Sequence, residues 1–350
     1  MAQKVALVAG ALGVVGRALL THLEGRTDWQ VIGLSRRTPD FPTRARFLRI
    51  DLGKRETLTA QAGELAAVTH VFHTAYQATL SQAEDVAANL PLLVNLMEVL
   101  EPVAPNLRHV QLVHGSKWYG CHLGPYKTPA VEDDPRIVSP IWYYDQQDWL
   151  EAFQRGKRWT WSALRPHGIC GFAVGSPISQ LTILAAYGAI SAELGVPLRF
   201  PGKPGAFHAI YQLTEARHLA AGMLWTAEAP ACANQAFNFT NGDFVRWRNL
   251  WPGFARFFGV PDGPPQPVNL TAFMRERAAL WDRMVAQHGL KPYRLSELAN
   301  GAFGDWLYST DYDIMSSMTK LRQAGWTGVV DSEEMYLRLL GELRRDRIIP

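Results

Sequence analysis

A tyrosine and a lysine four residues apart share one helical face, where the ammonium lowers the phenol pKa and holds a cofactor ribose. Such a pair could donate a proton in a reduction, yet none of the 11 tyrosines in this chain is followed four residues later by lysine. The run Trp142-Tyr143-Tyr144 has Gln147 and Asp148 at those places. A lysine serving such a centre must come from elsewhere. Upstream lies His114-Gly115-Ser116-Lys117-Trp118-Tyr119-Gly120-Cys121-His122-Leu123-Gly124-Pro125-Tyr126. His114 and His122 flank its lysine, but no H-E-x-x-H or Cys/His spacing accompanies them, so no metal is expected. The plain alternative makes Tyr143 and Tyr144 core aromatics and Lys117 a solvated charge.

Near the start, the apolar run Val5-Ala6-Leu7-Val8-Ala9 breaks at Gly10, Gly13 and Gly16 and resumes as Ala18-Leu19-Leu20 and Leu23. Glycines between a strand and a helix let backbone amides approach a pyrophosphate, which the positive helix end attracts. A second strand ends Ser35-Arg36-Arg37, where an NAD-binding chain usually places a carboxylate. Two guanidiniums there suit a 2'-phosphate through bidentate hydrogen bonds, which favours NADPH over NADH. A solvated arginine pair is the plainer reading. Asp51 closes a third apolar run and either accepts from the adenine amino group or caps the next helix.

Strand and helix signals alternate through the first half, with strands expected at 4–9, 30–35, 46–51, 70–73, 108–114 and 160–165. A helix is expected over about 82–100, with Val86, Leu90, Leu93 and Met97 along one side. This rhythm implies an α/β fold of Rossmann type, a doubly wound parallel sheet with ligands at the carboxyl ends of its strands. After Gly171 the rhythm fades into helices, a short strand near Ala236 to Phe239, and Pro/Gly punctuation. The expected division is therefore 1–172, with later returning segments, as an NADP-binding domain, and 173–350 as a smaller mixed substrate-binding portion.

The 35 basic and 32 acidic side chains nearly cancel without basic tracts, so nucleic acid is not an expected partner. No apolar stretch is long enough for a membrane span. Three cysteines without C-x-x-C spacing suggest reduced thiols and a cytoplasmic protein.

The motifs resemble the progesterone 5β-reductase and iridoid synthase-like enzymes (PRISE), an atypical branch of the extended short-chain dehydrogenases/reductases. The resemblance rests on Gly10-Ala11-Leu12-Gly13-Val14-Val15-Gly16, Ser35-Arg36-Arg37-Thr38, Gly115-Ser116-Lys117-Trp118-Tyr119, Gly124-Pro125-Tyr126 and Trp142-Tyr143-Tyr144 with Asp148. Arg165-Pro166, Gly171-Phe172, Asn241-Gly242-Asp243 with Trp247, and Phe303-Gly304-Asp305 follow in order. It implies that Lys117, from the loop, is the catalytic lysine and Tyr143 the catalytic tyrosine. The expected cofactor-binding residues are Gly10, Leu12, Gly13, Val14, Gly16, Arg36, Arg37, Asp51, Leu52, Ala75, Val113, Tyr143, Ile169, Ser176, Pro177 and Ile178. Tyr76, Tyr126, Trp142 and Phe207 are expected to line a substrate pocket.

The implied reaction is NADPH-dependent reduction of a C=C bond conjugated to a carbonyl, in an enone or enal. Hydride goes to the β carbon, and Tyr143 stabilises the enolate oxygen with support from Lys117. Three alternatives stay open: a 1,2-carbonyl reductase, a non-catalytic NADPH-binding redox sensor, and an NAD-dependent sugar epimerase. The last would normally carry Y-x-x-x-K and an acid after the second strand. A homodimer is the assembly entertained. The chain departs from the family pattern at His114, Tyr126 and His167, which leaves the particular enone open.

Overall fold

Strands buried on both faces need helices on both sides, and the apolar runs of the first half build that arrangement. The computed structural model describes residues 3–79, 81–176 and 178–350. Its sheet strands are β1 (Lys4–Ala9), β2 (Trp29–Ser35), β3 (Arg46–Arg49), β4 (His70–His73), β5 (His109–Val113) and β6 (Thr160–Pro166). Three two-residue strands follow, β7 (Ile169–Cys170), β8 (Leu198–Arg199) and β9 (Thr214–Glu215), and then β10 (Gln235–Phe239). The main sheet has seven strands in the order β10-β6-β5-β4-β1-β2-β3. All its neighbours pair in parallel. After β1 the chain winds outward to β2 and β3, then returns to β4 on the other side. The loops leaving β1 and β4 thus open a crevice at the point of reversal.

Helices α1 (Val14–Glu24), α2 (Arg55–Thr59), α3 (Gln82–Leu100), α4 (Trp142–Gln154), α5 (Gln180–Glu193), α6 (Pro204–His208), α7 (Ala216–Glu228) and α8 (Trp247–Phe258) surround and extend the sheet. One core joins α3 to the sheet through Leu93, Leu96, Met97, Val71 and Val110. The other face carries α1 and α7, through Leu19, Leu20, Leu219 and Met223. A third core gathers the C-terminal half around Phe200, Trp247, Trp251, Phe254, Tyr308 and Tyr336. The α5 helix is buried from Gln180 through Ser191, so it runs through this half as a central post.

The short strand expected near Ala236 to Phe239 forms as β10 and lies at the edge of the main sheet against β6. Two local readings differ from the structure by more than a residue. The third strand stops at Arg49, two residues early. On α3 the buried face carries Asp85 and Asn89 as well as Leu92, Leu93, Leu96 and Met97, while Val86 is half-buried and Leu90 does not join the core. Two polar side chains displace the expected apolar line because they hold a loop of the site.

Burial also leaves a pH signature. His73 is wholly buried and its pKa falls to about 4 through desolvation. His109 falls to about 3 for the same reason. It stays neutral between the hydroxyls of Thr160 and Ser162, at 2.9 and 2.8 Å. The unfolded chain protonates both near 6.5, so it binds more protons below that pH. The stability they allow is present in full above 6.5 and is lost as pH falls toward 4. Each histidine should cost about 1.4 kcal/mol per pH unit in that window. Thermal unfolding measured from pH 7.5 to 5 should show the midpoint falling steeply below 6.5; a flat profile would contradict neutral burial.

Candidate active site

The turn after β1 is shaped by contacts that only glycine allows. Gly10 has φ +78°, and a Cβ there would lie 2.7 Å from the backbone of Ala75, in the loop after β4. The loops leaving β1 and β4 therefore touch at the crevice. Gly13 caps α1 with no side chain accepting from the first-turn amides, so those amides remain open to the crevice.

Beyond this turn lies a cavity of about 1100 Å³ along the carboxyl ends of the strands. Of the expected cofactor residues, Gly10, Leu12, Gly13, Val14, Arg36, Arg37, Asp51, Leu52, Ala75, Val113, Tyr143, Ile169, Ser176 and Ile178 line it. Gly16 lies behind the wall, against the Gly10 carbonyl. Pro177 falls outside the described residues. Arg37 reaches across the cavity mouth, donating from both terminal nitrogens to the Val174 carbonyl at 3.2 Å. Asp51 accepts from the Gly53 amide at 3.1 Å.

The two tyrosines that open α4 divide their work. The Tyr144 hydroxyl donates to the Trp118 carbonyl and accepts from the Ile137 amide, which ties α4 to the short helical turn Ser116–Tyr119. That turn carries Lys117. Trp118 lies under the Arg165 guanidinium, 3.6 Å from its ring centre, and Tyr119 donates to Asn238 at 2.7 Å. Arg136 grips Asp148 with both terminal nitrogens, at 2.7 and 2.6 Å, from the outside.

Tyr143 instead points its hydroxyl at the cavity. A Cβ on Gly115 would lie 2.8 Å from that oxygen, so the absence of a side chain at Gly115 lets the phenol sit against the strand end. Burial, followed by Tyr76, Cys121 and Asp85, pushes the phenol well above its ordinary pKa. It therefore stays protonated and serves as a hydrogen-bond donor. Lys117 borders the same cavity. Its ammonium acts electrostatically on Cys121 and His122 and is not among the charges that act on Tyr143.

Of the four pocket residues expected, Tyr76 and Trp142 line the cavity and stack at 5.4 Å. The loop bearing Tyr76 is held by α3: Asn89 accepts from the Gln77 amide at 2.8 Å and donates back to its carbonyl, and Asp85 accepts from Thr79. The structure places the other two elsewhere. Tyr126 packs into the adjoining core, its hydroxyl accepting from the Met315 amide at 3.2 Å. Phe207 packs on Phe200 at 5.1 Å and borders a separate surface hollow beside Arg248 and Trp251. Core packing claims both rings.

Several lining residues were not among those expected to bind cofactor or substrate. Asn300, Phe303 and Trp306 come from the C-terminal half, and Gln180 and Tyr211 pair at 2.9 Å on the same wall. Ser116, Cys121 and His167 meet beside Lys117. Of these, Ser116 and Phe303 lie in motifs that carry the family resemblance, and His167 is a departure from the family pattern; the others had no signal of their own. Among the described residues no cluster of histidine, cysteine and carboxylates could hold a metal ion. Nor is any helix among them long and apolar enough to cross a membrane.

Comparison with known proteins agrees with this architecture. An (S)-8-oxocitronellyl enol synthase of Nepeta cataria is 31% identical over 99% of this chain and 92% of its own length. A 3-oxo-Δ(4,5)-steroid 5β-reductase of Arabidopsis thaliana is 30% identical over 99% and 94%. Among solved structures, the UDP-glucose 4-epimerase of Thermotoga maritima superposes with a TM-score of 0.71 at 18% identity, over 99% of this chain and 100% of that one. A short-chain dehydrogenase/reductase superfamily protein from Agrobacterium tumefaciens reaches 0.69 at 16%, over 99% and 98%. At those identities the likeness is one of fold. The PRISE-like Rossmann-fold domain model matches residues 50–350, and with relatives of this similarity along nearly the whole chain, the protein belongs to that family.

Proposed function

We propose that the protein is an NADPH-dependent reductase of activated C=C bonds, acting on enones or enals. One observation carries the proposal: Tyr143, its hydroxyl set against Gly115, borders the same cavity as Lys117 and the open glycine turn with its two arginines. Two relatives are named an enol synthase and a reductase of 3-oxo-Δ(4,5)-steroids, and such a steroid carries a double bond conjugated to its carbonyl.

The residues present fit a dinucleotide. The first-turn amides of α1, behind Gly13, would receive the pyrophosphate, and Arg36 and Arg37 a 2'-phosphate. When bound, the reduced nicotinamide supplies hydride. The chain's own part is electrostatic. As the β carbon of the substrate gains hydride, negative charge grows on the carbonyl oxygen, and Tyr143 donates a hydrogen bond to it; the α carbon of the resulting enolate then takes a proton from solvent, which gives the saturated carbonyl compound. A preorganised donor of this kind contributes roughly 3 kcal/mol. Lys117, which borders the same cavity, adds positive potential to it. Tyr76 and Trp142 shape one apolar wall, while Asn300, Phe303 and Trp306 shape the other. In this reading residues 1–172, with α7 and β10, hold the cofactor, and the remainder covers the substrate.

Incubation with NADPH and a panel of small enones and enals, with the products resolved, should give saturated carbonyl compounds. Allylic alcohols as products would make it a carbonyl reductase. Tight NADPH binding without turnover on any activated alkene would make it a sensor.

The arginine assignment has its own test. Arg36→Ala with Arg37→Ala removes two charge-assisted partners of a phosphate, each contributing about 1.5–3 kcal/mol. The NADPH concentration for half-maximal binding should rise at least tenfold while that for NADH changes little. An equal effect on both would show that the pair does not read the phosphate.

A further inference from the structure

Ser116, Cys121 and His167 form a buried hydrogen-bonded unit on the cavity wall that the reaction proposed above leaves unused. The Ser116 hydroxyl is bonded to Nδ1 of His167 and lies 3.2 Å from the Cys121 sulfur. All three side chains are at most 5% exposed, and all three border the cavity. The His167 tautomer has two settings. In the first, His167 carries its proton on Nε2, and Ser116 donates to Nδ1. Nε2 is buried without a hydrogen-bond partner, beside the Tyr211 ring. That arrangement strands a buried N–H, which is costlier than leaving a bare lone pair. In the second, Nδ1–H donates to the Ser116 oxygen, and the contact with Cys121 can run either way. Sulfur is a weak acceptor, so with a carbonyl oxygen in the cavity the serine O–H gains more by turning to that oxygen than by donating to Cys121, whose thiol can then donate to the serine's other lone pair.

The neighbouring backbone shows what that O–H meets. Ser116 follows Gly115, against which the Tyr143 hydroxyl rests. The Pro166 carbonyl, one residue before His167, would lie 3.5 Å from a Cβ on the same glycine. Ser116 and the Tyr143 hydroxyl therefore both adjoin Gly115, and all three residues border the cavity. A carbonyl oxygen has two lone pairs, and one that becomes an enolate gains most from two donors.

Building on the enone-reductase reading, we propose that Ser116 is a second substrate-contacting donor, which joins Tyr143 on the carbonyl oxygen, and that His167 is the positioning residue that turns it there. Burial holds the His167 pKa near 3, so this arrangement persists across the neutral range. The site is thereby matched to substrates whose conjugated oxygen is unhindered on both lone pairs.

The test uses the NADP⁺ complex and a para-substituted phenol, whose oxygen stands in for the enolate oxygen, alongside steady-state turnover of an enone. Ser116→Ala should weaken phenol binding about tenfold or more and lower kcat by a similar factor, with KM for NADPH unchanged. Ser116→Thr keeps a hydroxyl and should recover most of the loss. His167→Leu should match Ser116→Ala, and the two changes together should cost no more than either alone. His167→Asn, whose amide can still donate to the serine, should recover most of what leucine loses. Phenol affinity in Ser116→Ala within twofold of the unaltered protein would overturn the proposal whatever the turnover, as would failure of the unaltered complex to bind the phenol. If the phenol result holds but no activated alkene is reduced, the donor pair stands and the reductase reading falls.

Discussion

Tyr143→Phe is expected to lower kcat for enone reduction by about 10²–10³-fold, while NADPH affinity stays within a factor of two or three. The ring is packed against Trp142 at 4.1 Å and His114 at 5.1 Å, and phenylalanine keeps those contacts. Only the hydroxyl is lost. Among the described residues that hydroxyl supports no other side chain, whereas the Tyr144 hydroxyl holds the lysine turn. Removing the Tyr143 oxygen therefore reports on the chemistry with little effect on folding. The comparison with Tyr144→Phe is informative: that change should loosen the Ser116–Tyr119 turn and lower the thermal midpoint. Near-normal turnover in Tyr143→Phe, measured with product identification, would mean that the donor lies elsewhere.

Gly16→Ala should be nearly as damaging, through the cofactor. An ideal Cβ at Gly16 falls 2.3 Å from the Gly10 carbonyl oxygen and 2.9 Å from the Ala11 Cα, both backbone atoms. No side chain can move aside to relieve this. The turn must open, and with it the amides that would meet a pyrophosphate; overpacking of this kind costs about 1–3 kcal/mol in stability even where neighbours yield. NADPH affinity measured by calorimetry should fall at least a hundredfold, and the thermal midpoint should fall as well. Gly63→Ala is the matched control, since nothing lies within 4 Å of its Cβ position, and it should leave both unchanged. Unimpaired NADPH binding in Gly16→Ala would place the dinucleotide away from this turn.

The legible parts of the chain were local. Val5–Ala9 followed by spaced glycines announces strand, turn and helix, because apolar periodicity and the steric freedom of glycine act over a few residues. The arginines at 36 and 37 sit at the end of β2 for the same reason: strand length sets where a side chain emerges. The alternation of elements was enough to specify a parallel sheet and the edge of it that takes ligands.

Other features required the chain to fold over long distances. Tyr126 and Phe207 read as pocket aromatics by motif and type, but an aromatic ring suits a core as well as a cavity, and packing settled both. Lys117 and Tyr143 reach one cavity from different segments, and where the ammonium acts depends on the Tyr144 and Trp118 anchors, not on spacing. The face of α3 was misjudged because Asp85 and Asn89 are buried to bind the Tyr76 loop, a contact that hydropathy cannot register. Sequence alone determined the fold, the crevice and the family, since each follows from short-range pattern. Only tertiary structure decided which polar groups converge on the cavity, among them Ser116 with His167, because hydrogen bonds between residues 51 apart depend on geometry that no local pattern encodes.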